Sequence, residues 1–148
     1  MDKEVKKKIA KNWFKILQNI ICFEIERLEN SPAKFISRKW DKNPKKNEGG
    51  GEYRILKNGK IFEKVGVNFS EVNGKFSKDI RKKIPGTKKN GNFWASGISI
   101  VMHMKNPHVP AMHFNTRYIY TSFGWFGGGI DVTPCIEDKK LKNWFHKE

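Results

Sequence analysis

Residues 93–120 constrain the fold of this chain more than any other stretch. Within them, two segments (93–104 and 112–120) alternate between two kinds of side chain with a period of two, which predicts two long β-strands. The short loop 105–110 turns the chain, so the two strands are expected to pair antiparallel. One face of the first strand carries mostly small side chains, which is typical of a sheet floor beneath a large ligand.

A second pair of strands precedes them. Residues 53–56 and 61–69 are separated by Lys-Asn-Gly-Lys, and Asn-Gly between two alternating segments is a strong hairpin signal. Strict alternation in the second strand places Ile61 on the apolar face, with Val65, Val67 and Phe69, and Phe62 on the opposite face.

Helices are expected at both ends of the chain. Residues 3–29 predict one amphipathic helix and residues 136–148 a second, whereas residues 37–51 and 73–92 are interpreted as basic, glycine-containing loops. The whole chain, 1–148, is therefore predicted to be a single α+β domain with a mostly antiparallel sheet flanked by helices. The stripe of the first helix expected to pack on the sheet is Val5, Ile9, Trp13, Ile16, Leu17, Ile20, Glu24 and Leu28.

The composition is strongly basic. Lysine and arginine total 30 against 15 acidic residues, so 30 − 15 gives a net charge of +15, which favours polyanionic or multiply carboxylated partners. Lysine predominates, and this favours a solubilising surface over nucleic-acid recognition, where arginine is preferred. Cys22 and Cys135 form no CxxC pair. The first residues contain no apolar segment of the kind that a signal peptide carries, so no leader is expected. No apolar run approaches the ~20 residues needed to span a bilayer. We expect a soluble, cytoplasmic protein without membrane partners.

The second of these two strands, residues 112–120, contains most of the candidate functional residues. His113, Asn115 and Arg117 share one of its faces, and an antiparallel neighbour brings Ser99 and His103 close to them. Arginine suits a carboxylate because its fork of donors matches two oxygens. Histidine transfers protons near neutral pH. The cluster therefore predicts a binding or catalytic floor, although a single histidine on a strand is more often structural.

Two further polar residues, Asp131 and His108, lie outside these two strands. Asp131 follows a second glycine run, 124–134, and could accept a hydrogen bond from a ligand N–H group. His108 lies in a loop between prolines and is interpreted as structural. The His-x4-His-x4-His spacing from residue 103 to residue 113 matches no metal signature, so spacing alone argues against a metal site.

Several motifs in order carry a family resemblance. They are EGGGEYRIL, NGKIFEKVGVNFSEVNG, FWASGISIVMHMKNPHVPAMHFNTRY and GWFGGGIDVTP, together with Trp40. Over about residues 35–146 the chain resembles the oxygen-dependent coproporphyrinogen III oxidases of haem biosynthesis. The resemblance implies oxidative decarboxylation of two propionates of coproporphyrinogen III to vinyl groups, giving protoporphyrinogen IX. Molecular oxygen is the implied co-substrate, and no organic cofactor is implied.

The resemblance also implies residue roles. His113 is similar to the family's proton donor, and Asp131 to the residue that holds the pyrrole nitrogens. Ser99, Asn115 and Arg117 correspond to substrate-binding residues. A divalent metal, used by some bacterial members, would be held by the set His103, His113 and His146.

The length of the chain leaves more than one functional interpretation open. Family members are about twice as long, so the chain corresponds to their N-terminal half and lacks much of the dimer contact. It is expected to work with a C-terminal half, as one part of a split enzyme, or as a homodimer; an inactive truncated remnant is the alternative. A hypothesis of another class is a basic module that binds single-stranded nucleic acid, with strand aromatics stacking on bases.

Overall fold

A six-stranded antiparallel sheet with one long helix across it forms the protein, as described for residues 1–88 and 90–147 by a computed structural model. The strands lie side by side in chain order, each antiparallel to the next, which confirms the predicted α+β class. The elements are α1 (Lys3–Glu29), β1 (Ile36–Asp41), β2 (Gly49–Lys57), β3 (Phe62–Lys75), α2 (Lys78–Arg81), β4 (Asn92–Met104), β5 (Ala111–Tyr120), β6 (Gly124–Thr133) and α3 (Lys139–Phe145).

Helix α1 spans the residues that the sequence predicted, and both of its ends are capped. The Asp2 carboxylate accepts the backbone N–H of Glu4 at 2.8 Å, which satisfies a donor that the first turn leaves free. At the other end, Asn30 adopts a left-handed conformation with φ of 44° and stops the helix. In the part of the chain that the structure describes, no helix is both long enough and apolar enough to cross a membrane.

The face of α1 that packs on the sheet is not the predicted one. Most of the predicted stripe points to solvent: Trp13 and Ile16, for example, are 49% and 50% exposed. The helix is apolar on two opposite faces, so a period of 3.6 residues could not choose between them. The residues that are buried are Ala10, Phe14, Gln18, Cys22, Ile25 and Glu29.

Two buried polar side chains explain that choice of face. The side-chain amide of Gln18 donates to the carbonyl oxygens of Glu52 and Val67, both at 3.0 Å. Glu29, with no exposed surface, accepts backbone N–H groups of residues 60–62 in the β2–β3 turn. Burial alone would raise the pKa of the Glu29 carboxyl, but these hydrogen bonds hold it below its ordinary value. The helix therefore fixes the turn as well as the sheet.

The predicted loops contain regular structure. The segment predicted as the loop 37–51 holds most of β1 and the start of β2, so only residues 42–48 connect strands. The segment predicted as the loop 73–92 begins in β3, includes α2 and ends in β4. Lysine and glycine enrichment obscured the alternation in both places, and pairing with a neighbouring strand overrides such local preferences.

The predicted orientation of the first residues of β3 is wrong. A bulge lies between Phe62 and Lys64, so the extra residue Glu63 shifts the alternation by one. Phe62 is consequently buried in the core at 5% exposure, whereas Ile61 is 44% exposed. Beyond the bulge the predicted alternation holds, with Val65 and Val67 fully buried beneath α1.

Candidate active site

The sheet face opposite α1 carries the predicted floor. Residues that pair directly across antiparallel strands project to the same face, so the strand registers define rows that cross all six strands. The rows lie about 7 Å apart along the strands. The first consists of Ile36, Ile55, Gly66, Val101, His113 and Asp131. The second consists of Arg38, Tyr53, Asn68, Ser99, Asn115 and Gly129. The third consists of Trp40, Gly51, Ser70, Gly97, Arg117 and Gly127.

Glycines keep parts of this face shallow. A Cβ atom added at Gly66, Gly127 or Gly129 would meet no atom within 4 Å, so these positions open directly onto space above the sheet. Six strands at about 4.8 Å spacing make the face roughly 24 Å wide. The face is therefore broad and shallow, with glycines at its lowest positions and polar side chains around them. Such a surface suits a large flat ligand.

His113 stands on β5 and faces three neighbours across the strands. The Ser99 hydroxyl lies 3.3 Å from its Nε2 atom, where it donates or accepts according to the tautomer of the ring. On either side His113 pairs with Val101 of β4 and with Asp131 of β6. The ring is exposed, so a ligand on the floor would reach it.

Opposite charges occupy two different rows of the same floor. Arg117 donates from Nη2 to the side-chain oxygen of Asn115 at 2.7 Å, which orients the guanidinium. Asp131 accepts the Thr133 hydroxyl at 2.6 Å. Arg117 and Asp131 lie two rows apart, or about 13 Å along neighbouring strands. The arrangement offers a cation and a hydrogen-bond acceptor at two separate places on the floor.

The structure does not bring the three histidines of the predicted metal site together. His103 lies near the end of β4, paired with Lys64, and His146 caps the C-terminus of α3. Among residues 1–88 and 90–147, no group of three or more His, Cys, Asp or Glu side chains is placed to hold a metal ion. The set of His103, His113 and His146 therefore does not fit a metal here. His108 is exposed in the loop that joins β4 to β5.

A cavity connects the end of β6 with α3. Its volume is about 580 Å³, and Asp131, Pro134, Phe145 and His146 are among its lining residues. His146 is thus brought to the side of Asp131, although it contributes to no metal-binding group among the residues described. The cavity adjoins the first row of the floor through Asp131.

Three polar residues of the floor were missed by the sequence reasoning. Arg38, Tyr53 and Asn68 fill the second row beside Ser99. The alternation of Ile36, Arg38 and Trp40 was the available signal, but the segment was interpreted as a loop. Arg38 adds a second arginine to the face that carries Arg117.

The family profile described as coproporphyrinogen III oxidase matches residues 9–148. The chain belongs to the coproporphyrinogen III oxidase family. It is 47% identical over 148 residues to the oxygen-dependent coproporphyrinogen-III oxidases of Rickettsia felis and Rickettsia akari, and 46% identical to that of Rickettsia typhi. These alignments cover 95% of this chain and 52% of each relative, so the chain spans about half the length of the curated relatives it matches.

Proposed function

We propose that this chain supplies the N-terminal half of an oxygen-dependent coproporphyrinogen III oxidase. In the proposed reaction two propionates of coproporphyrinogen III become vinyl groups, giving protoporphyrinogen IX. Each propionate loses CO₂, one proton and two electrons, and molecular oxygen accepts the electrons. Because the substrate supplies all of the electrons, the proposal includes no organic cofactor and no external reductant.

The observation that carries this proposal is the shared sheet face. Ser99, His113, Asn115, Arg117 and Asp131 all project from it, across three adjacent strands, within a chain of the matching family. A tetrapyrrole with four carboxylates and inner N–H groups needs both a cation and hydrogen-bond acceptors, and this face carries Arg117 and Asp131.

Each residue has a proposed role. Arg117 binds a propionate through paired donors, since guanidinium and carboxylate match in geometry. Asp131 accepts hydrogen bonds from pyrrole N–H groups at the ring centre. His113 transfers a proton at its Nε2 atom, with the Ser99 hydroxyl holding the ring in place at 3.3 Å. Asn115 orients Arg117 and contacts the substrate.

The proposal assigns no step to a divalent metal, because the residues described form no metal-binding group. We propose that a polypeptide equivalent to the half of the relatives that this chain does not cover completes the site. We also propose that the protein assembles as a homodimer. Cys22 and Cys135 are both free thiols, which supports the proposed cytoplasmic location.

A chimera tests the proposal. This chain replaces the aligned half of the Rickettsia felis relative, and the purified chimera is supplied with coproporphyrinogen III under air or under nitrogen. We expect oxygen uptake and formation of protoporphyrinogen IX under air, measured as porphyrin fluorescence after oxidation of the product, and neither under nitrogen. A folded chimera that consumes no oxygen with this substrate would show that the chain is an inactive remnant. The chain alone, assayed in parallel, shows whether half of the family's length suffices.

A further inference from the structure

A cavity lies at the β1–β2 end of the floor, far from Arg117 on β5. Its volume is about 550 Å³. Ile36 and Ile55, from the first row of the floor, contribute apolar surface to it. Arg38 and Tyr53, from the second row, contribute polar groups. All four side chains project to the floor face, so the cavity opens on the same side of the sheet as the residues assigned to the substrate.

The positive charge at this end of the floor has no acidic partner. Arg38 and Lys57, two of the cations that line the cavity, belong to no ion pair in the described part of the chain. Arg54 on β2 behaves differently: it projects to the opposite face, where Glu52 pairs with it at 2.7 Å. Within the three rows of the floor Asp131 is the only carboxylate, and it lies on β6 at the other end of the sheet. The charge of Arg38 is therefore available to an anionic ligand.

The neighbours of Arg38 specify which kind of anion fits. Tyr53 lies directly opposite Arg38, and such pairs on antiparallel strands have Cβ atoms about 4.5–5.5 Å apart, so the guanidinium and the phenol can donate to one group. Ile36 precedes Arg38 by two residues on the same face and is 68% exposed. A carboxylate on a short alkyl arm suits this order, because its methylene groups cover the isoleucine while its oxygens accept from the guanidinium.

We propose that Arg38 and Tyr53 bind a second carboxylate of the ligand, at the end of the floor opposite Arg117. The inference rests on the proposed function, which gives the ligand four propionates. Arg38 and Arg117 lie four strands apart, or about 19 Å across the sheet, and strand side chains stand roughly perpendicular to it. The two arginines therefore bind different carboxylates, and together they fix the orientation of the macrocycle on the floor.

Fluorescence titration of the complete chain with coproporphyrin III, the stable oxidised form of the proposed substrate, tests this contact without turnover. Arg38→Gln should raise the dissociation constant by roughly 10- to 100-fold, because a carboxylate loses its charged donor. Lys39→Gln is the matched control: Lys39 is the next residue of β1, is also exposed and projects to the opposite face, so its loss removes the same charge and should leave the affinity nearly unchanged.

Two results overturn the proposal: no binding of coproporphyrin III by the wild-type chain, or equal dissociation constants for the two variants. Equal constants are expected if Arg38 instead pairs with an acidic side chain of another polypeptide. In the chimera described above, oxygen uptake with a KM that Arg38→Gln leaves unchanged would overturn this proposal alone. Weaker porphyrin binding by Arg38→Gln, together with a chimera that consumes no oxygen, would support the carboxylate contact and reject the oxidase function.

Double variants test which groups share a carboxylate. Tyr53→Phe combined with Arg38→Gln should weaken binding by less than the product of the two single effects, because both side chains bind the same carboxylate. Arg117→Gln combined with Arg38→Gln should give the full product, because the two arginines are far apart and bind different carboxylates. The reverse pattern overturns the proposed arrangement.

Discussion

Replacement of Glu29 by glutamine tests the central contact between α1 and the sheet. The carboxylate is fully buried and accepts backbone N–H groups of Ile61 and Phe62 at 3.0 and 2.9 Å, in addition to that of Lys60. Glutamine keeps one acceptor oxygen but turns an N–H₂ group toward these donors. Hydrogen bonds to a charged group contribute about 1.5–3 kcal/mol, and relief of the unfavourable helix dipole returns about 0.5 kcal/mol. We therefore expect Glu29→Gln to lower the free energy of unfolding by about 1–2.5 kcal/mol.

Urea unfolding followed by far-ultraviolet circular dichroism measures this change. Glu24→Gln is the control, because Glu24 lies on the same helix in an exposed ion pair with Arg27, which contributes at most about 1 kcal/mol. The pH dependence has a definite sign. The pKa of Glu29 is lowered in the folded state, so its contribution is complete above the ordinary value of 4.5 and is lost as pH falls through the lower folded value. Equal stability of the two variants, or a difference that persists unchanged in acid, would refute this reasoning.

Three further outcomes are expected. Arg117→Ala in the chimera should cost about 1.5–3 kcal/mol of transition-state stabilisation in kcat/KM, since a propionate loses its charged partner; an unchanged value contradicts the role. Gly129→Val should leave the thermal unfolding midpoint nearly unchanged but weaken substrate binding, measured by fluorescence titration, because the space above Gly129 is open. Burial raises the pKa of Cys22 to about 11, so mass spectrometry after iodoacetamide treatment at neutral pH should show Cys135 alkylated first, and equal rates would be inconsistent with this burial.

Strand alternation made most of the floor predictable. Once β4 and β5 are strands, period two places Ser99, His113 and Arg117, and pairing across neighbouring strands puts them on one face. The position of the three predicted metal ligands could not be inferred in this way, because His146 lies on a helix separate from the two strands. Alternation along a strand does not show how close a helix comes to that strand.

Two other features lay beyond the reach of local patterns. Helix α1 is apolar on two sides, and the hydrogen bonds that Gln18 and Glu29 form with the sheet and the β2–β3 turn favour burial of the face that carries them. The bulge at Glu63 reverses the alternation of Phe62 because β3 must match the register of β4. Both outcomes depend on partners that are distant in sequence, which a window of neighbouring residues does not contain.

The most direct measurement compares two histidine variants in the chimera at saturating coproporphyrinogen III under air. His113→Ala removes the group proposed to transfer a proton, whereas His108→Ala removes an exposed histidine in the loop between β4 and β5, to which the proposal assigns no role. We expect His113→Ala to lower kcat by about 10²–10⁴-fold with little change in substrate binding, and His108→Ala to retain the wild-type rate. Equal rates for the two variants would contradict the assignment of the reaction to this sheet face.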